Sequence, residues 1–168
     1  CPANPTAGAT LSPGACPDGS NPQTMSQLNG VNKKGINNQW LGQGWPHNYF
    51  SFNPASNIQI KKISVKAGNY GGVNRAITCK IINNSGNDVF GPYTSGSFTN
   101  VSGAAWREVV NLPGSEVASK PALTARGNYR LSCIGPDNWE SLYWVYQWVN
   151  NGEGTVNAKT YQIEYCPA

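Results

Sequence analysis

Charge is scarce in this chain: Asp, Glu, Lys and Arg together make up 12% of its 168 residues. Nucleic-acid binders carry a basic stripe or patch, yet the 12 basic residues here are scattered among 8 acidic ones. Lys33-Lys34 and Lys61-Lys62 are the only adjacent pairs, so nucleic acid is not expected as a partner. Histidine occurs once, at His47, and no Cys-x-x-Cys pair is present. The spacings of a zinc site are therefore missing, and no zinc ligand set is expected. No run approaches the ~18 apolar residues of a membrane span. A nucleophile elbow is also absent, which removes one common hydrolase chemistry. The chain opens on Cys1-Pro-Ala-Asn-Pro rather than a charged start and an apolar stretch, as a mature, processed chain would.

Aromatic side chains are plentiful by contrast. Five of the ten residues from Trp139 to Trp148 are aromatic, in Trp-Glu-Ser-Leu-Tyr-Trp-Val-Tyr-Gln-Trp. On an extended strand Leu142, Trp144, Tyr146 and Trp148 share one side, while Tyr143, Val145, Gln147 and Val149 share the other. The first set is uniformly apolar and is expected in the core, as is Trp106. The second mixes a ring with an amide and is expected on a binding surface.

The five cysteines, at positions 1, 16, 79, 133 and 166, read as disulfides of an exported protein, secreted or at the cell surface. Cys79 alternates in phase with Ile77 and Ile81, and Cys133 with Tyr129 and Leu131. Both should point inward and pair with each other. Cys166 is expected to tie down the N-terminal segment through Cys16 or Cys1. A first-position cysteine also admits lipid modification, which Pro2 disfavours. Asn83-Asn84-Ser85 and Asn100-Val101-Ser102 fit the glycosylation acceptor pattern.

Residues 1–35 are rich in Pro, Gly, Ala, Ser, Thr and Asn and read as an irregular N-terminal arm. Residues 36–168 read as one antiparallel β-sandwich domain of jelly-roll type. Expected strands are 36–41, 48–52, 58–67 with a bulge between Ile60 and Ile63, 76–82, 89–93, 106–112, 128–134, 139–149 and 155–166. Roughly nine short strands separated by polar turns, with no helical periodicity, fit that class.

The series Ile63-Ser-Val-Lys-Ala, Ala76-Ile-Thr-Cys-Lys-Ile-Ile, Trp106-Arg-Glu-Val-Val-Asn-Leu and Leu123-Thr-Ala-Arg-Gly-Asn-Tyr-Arg-Leu resembles the strand order of bacterial jelly-roll modules, among them many carbohydrate-binding modules. Trp106, Val109, Gly127 and Tyr129 match the positions of a Trp…Val strand and of a Leu-x-Ala-x-Gly-x-Tyr turn. The resemblance covers residues 58–134 and implies a jelly-roll sandwich; it reflects sandwich packing more than ligand chemistry.

Sugar rings offer C–H faces to aromatics and hydroxyls to amides and carboxylates, a particular case of an apolar pocket with placed polar groups. Asp137, Asn138 and Trp139 at a turn, with Tyr143 and Gln147 beyond, supply that mixture. Trp45 and Tyr49, in Trp-Pro-His-Asn-Tyr, supply a second. Asp137 and Glu140 flank Trp139, but glycoside hydrolysis needs two carboxylates facing each other across a substrate, and an enzyme is not expected. A structural calcium ion on Asp137 or Asp88 is a further option. The expectation is a secreted, non-catalytic carbohydrate-binding or adhesive module whose partner is a polysaccharide or glycan. The alternative is a subunit of an extracellular fibre or surface layer that self-associates through the N-terminal arm by strand addition.

Overall fold

The computed structural model describes residues 14–41, 48–100, 103–150 and 155–168, with the side chains of 149, 150 and 155–157 left out. Two antiparallel sheets pack face to face. The larger has seven strands: β1 (Gln23–Gln27), β2 (Asn32–Ile36), β4 (Ile58–Asn69), β7 (Ala105–Asn111), β9 (Leu142–Asn150), β10 (Thr155–Lys159) and β11 (Tyr161–Pro167). The smaller runs β3-β8-β5-β6, with β3 at Tyr49–Phe52, β5 at Thr78–Ile82, β6 at Asp88–Thr94 and β8 at Tyr129–Ile134. A single helical turn, α1 (Gly114–Val117), follows β7.

β4 organises the large sheet because it is long enough to serve several partners. One edge pairs with β11 from Ile58 to Ser64 and then with β9 from Ala67 to Asn69; the other pairs with β7. Its alternation drives Ile58, Ile60, Ile63, Val65 and Ala67 inward. The phase slip between Ile60 and Ile63 falls at Lys61. Ile60 lies opposite Tyr165 and Lys62 opposite Glu164, so Lys61 is the extra residue of a bulge. The bulge turns its ammonium into the protein, where Asn111 Oδ1 and the Leu112 carbonyl each accept from it at 2.9 Å. Burial of a lysine is tolerable only with such partners.

The smaller sheet contributes Phe52, Cys79, Ile81, Phe90, Tyr129, Leu131 and Cys133 to the same core. Cys79 and Cys133 lie directly opposite each other on β5 and β8 and form a disulfide. Cys16 pairs with Cys166, joining positions 150 residues apart. The Leu123–Tyr129 turn is closed by the Tyr129 hydroxyl, which accepts from the Thr124 N–H at 2.9 Å.

The N-terminal region is less irregular than its composition implies. Gln23–Gln27 pairs with β11 and Asn32–Ile36 with β9, so residues 23–36 extend the large sheet within their own chain. Strands of Gln, Thr, Ser, Asn and Lys carry little apolar signal because they lie at sheet edges, where backbone pairing rather than burial holds them. The expected strand at 36–41 is displaced to 32–36 for the same reason: Ile36 is its buried end, not its start.

Candidate functional site

Two loops meet at one end of the large sheet. The first, residues 69–75, continues β4 and is built on Asn69, which is buried. Its amide Nδ2 donates to the carbonyls of Val73 at 2.8 Å and Phe98 at 2.9 Å, and its Oδ1 accepts from the Gly71 N–H at 2.8 Å. One side chain thus fixes the backbone of the whole loop. The second, residues 135–141, leads into β9 and is built on Asp137. Asp137 Oδ1 accepts from the Trp139 N–H at 3.1 Å, and Oδ2 accepts from the Ser141 hydroxyl at 2.9 Å. Such Asx turns let a short polar side chain replace a backbone partner. The two loops are then joined: the Tyr70 N–H donates to the Ser141 carbonyl at 2.8 Å, and Arg75 pairs with Asp137 at 3.4 Å.

This scaffold displays two rings. Trp139 is 88% exposed at the tip of its turn. Tyr70 is 53% exposed and rests on the Tyr143 ring with centroids 4.6 Å apart. Burial of its inner side, then the neighbouring Tyr143 and Glu140, raise the Tyr70 hydroxyl above the usual tyrosine range. It therefore stays a neutral donor and acceptor at physiological pH. Tyr143 itself runs across Gly68, where no Cβ could be accommodated, and Lys33 Nζ lies 4.8 Å above its ring. The result is a fixed aromatic step rimmed by Arg75, Asp137, Glu140 and Lys33.

Asp137, Asn138 and Trp139 thus sit together on the exposed turn. Tyr143 does face outward as its phase requires, but it is only 4% exposed, because Tyr70 and Lys33 cover it. It is a floor beneath Tyr70, and Tyr70 is the ring that is exposed there. The signal for Tyr70 lay in Gly-Asn-Tyr-Gly-Gly, a ring embedded in turn residues. Gln147 lies five residues along β9 from Leu142, roughly 17 Å at strand rise, beside a separate cavity. Tyr49 is on β3 of the smaller sheet, with the Arg130 guanidinium 5.9 Å from its ring. Trp45 falls outside the described residues. Trp40 packs under Lys80 Nζ at 4.3 Å.

Two expected core tryptophans are also not buried. Trp148 follows Trp144 in the alternation of β9 but is 52% exposed. Trp106 is 38% exposed because it pairs with Lys66, on the outer side of β4, not with the inward Val65.

Calcium does not fit the proposed acids. Asp137 is engaged by Arg75, and Asp88 is held by Lys80 at 2.8 Å, so each carboxylate already faces a cation. Among the described residues no three His, Cys, Asp or Glu side chains cluster. No described helix is long and apolar enough to cross a membrane.

A second concavity, of about 440 Å³, lies between the edge strands β1 and β3 and is lined in part by Met25, Phe50, Phe52, Tyr161 and Tyr165.

No protein-family model matches the chain, and no curated protein does. Among solved structures it is similar to a family two carbohydrate esterase from Cellvibrio japonicus, with a TM-score of 0.31 and 12% sequence identity. That match covers 88% of this chain and 35% of the other, so the chain spans about a third of that protein's length. So loose a likeness does not bear on the site.

Proposed function

We propose that the chain is a secreted, non-catalytic carbohydrate-binding or adhesive module that holds glycan through Trp139 and Tyr70. The observation that carries this reading is Trp139, 88% exposed at the tip of a turn whose backbone is fixed by hydrogen bonds to Asp137. An indole so exposed offers its face to a partner, and a turn fixed in advance reduces the entropy lost when a sugar stacks on it. Tyr70 adds a second face and a hydroxyl, and Arg75 and Glu140 stand near enough to reach sugar hydroxyls. The non-catalytic part is supported by Asp137, whose two oxygens are occupied by Trp139, Ser141 and Arg75. Export is supported by the two disulfides, which persist in oxidising compartments.

The test is a glycan array followed by titration calorimetry. Trp139→Ala should weaken binding at least tenfold, equivalent to about 1.4 kcal/mol, with an unchanged melting temperature. Tyr70→Ala should weaken it less. Undiminished binding by both variants sinks the assignment of the site.

The alternative, a fibre subunit, is favoured by the aromatic groove between the β1 and β3 edges, which an added strand could enter. Against it, β1 and β2 already complete the sheet of their own chain.

A further inference from the structure

The loop between β1 and β2 lies flat on the outer face of the large sheet. Gly30 approaches so closely that a Cβ there would come within 2.8 Å of the Tyr146 carbonyl. Gln27 holds the loop in place: its amide donates to the Asn29 carbonyl at 2.7 Å and the Ala158 carbonyl at 3.2 Å, and its Oε1 accepts from the Asn29 N–H at 2.9 Å. Between this loop and the sheet is a cavity of about 400 Å³ lined by Leu28, Asn29, Gly30, Val31, Lys66 and Gln147. Its volume is within the range of small-ligand sites, ~300–1,000 Å³.

The charges around it are unbalanced. On the same face Glu108 and Glu164 both turn to Lys62, at 3.7 and 3.9 Å. Lys66 has no ion pair among the described residues, and no acid lines the cavity. Directly across the ladder from Lys66 stands the partly exposed Trp106. A cation, the amides of Asn29 and Gln147 and a neighbouring indole face are the groups that a ring bearing both hydroxyls and a negative charge requires. The face is also continuous with the step that Tyr70 and Tyr143 form: Lys66 and Gly68 are successive outward positions of β4, and Tyr143 lies opposite Gly68.

The geometry points to a subsite for an acidic sugar, with Lys66 meeting the carboxylate of a uronate while the rest of the chain extends toward Tyr70 and Trp139. This rests on the glycan-binding reading and narrows it to a carboxylated polysaccharide. Nucleic acid, the other common polyanion, would need a run of unpaired cations, and Lys62 is already neutralised.

Affinity electrophoresis in gels holding polygalacturonate, dextran sulfate or a neutral galactan tests it, with Lys66→Gln, Lys66→Arg, Trp106→Ala and Trp139→Ala. Polygalacturonate should retard the wild type most. Lys66→Gln should weaken that binding about tenfold without changing retardation by galactan, Lys66→Arg should restore most of it, and Trp106→Ala should weaken it with no change in melting temperature. Equal retardation by galactan and polygalacturonate, stronger retardation by dextran sulfate, or indifference to Lys66→Gln overturns the subsite. In those cases a loss on Trp139→Ala still leaves the glycan-binding reading standing. Absence of retardation in every gel also overturns the subsite, while the glycan array decides the glycan-binding reading separately.

Discussion

The two halves of β9 have the same alternation and nearly the same composition, yet they behave differently. From Leu142 to Val145 every side chain is buried, on both faces. Trp144 enters the core and donates its indole N–H to the Thr160 carbonyl at 2.7 Å, while Tyr143 and Val145 are roofed by Tyr70, Lys33 and the Gly30 loop. Farther along the strand Trp148 is 52% exposed and meets Tyr146 edge-on with centroids 5.3 Å apart. Alternation decides which way a side chain points. What lies above each face decides whether it sees water, and that is supplied by other parts of the chain.

The strongest attempt to break the contrast is Trp144→Ala. Loss of a buried indole and of its hydrogen bond should cost about 3–5 kcal/mol, read from urea unfolding. A cost near zero would mean that the first half is no more essential than the second.

Lys159 tests the second half from beneath, opposite Tyr146. Burial, and then the nearby charge of Lys34, lowers its pKa from 10.5 to about 8. The folded state therefore releases this proton before the unfolded state does. Below pH 8 both states are charged and the burial penalty is fully felt; as pH rises toward 10.5 the penalty is relieved and stability climbs. The gain from pH 7 to 9 should be about 1 kcal/mol, and Lys159→Met should flatten it. A wild-type stability that falls over that interval contradicts the assignment.

Smallest of all, Trp148→Ala should cost less than about 1 kcal/mol. A larger loss would show that the exposed end carries more of the fold than its contacts indicate.

The same distinction explains what the sequence made legible. Periodicity located β4, β5, β6, β7, β8 and β9 within a few residues, because each sends alternate apolar side chains into one core. The bulge at Lys61 was visible as a broken phase, and Cys79 and Cys133 as members of inward sets. β1 and β2 were not visible, since edge strands held by backbone pairing need no apolar pattern. In the candidate site, Asp137, Asn138 and Trp139 were legible from turn chemistry. Tyr143 was misjudged because its cover, Tyr70, comes from a loop more than seventy residues earlier, and Trp106 because a bulge on β7 between Val110 and Glu108 shifts its register. Long-range cover and ladder slips leave no mark on the local pattern.

The bond between Cys16 and Cys166 has a mechanical meaning. Tension applied between points before residue 16 and after residue 166 runs through that single covalent link. It bypasses the ladders between, so β1 and β11 are not peeled apart by the load. Load carried this way leaves the loops that bear Tyr70 and Trp139, and the sheets beneath them, at rest.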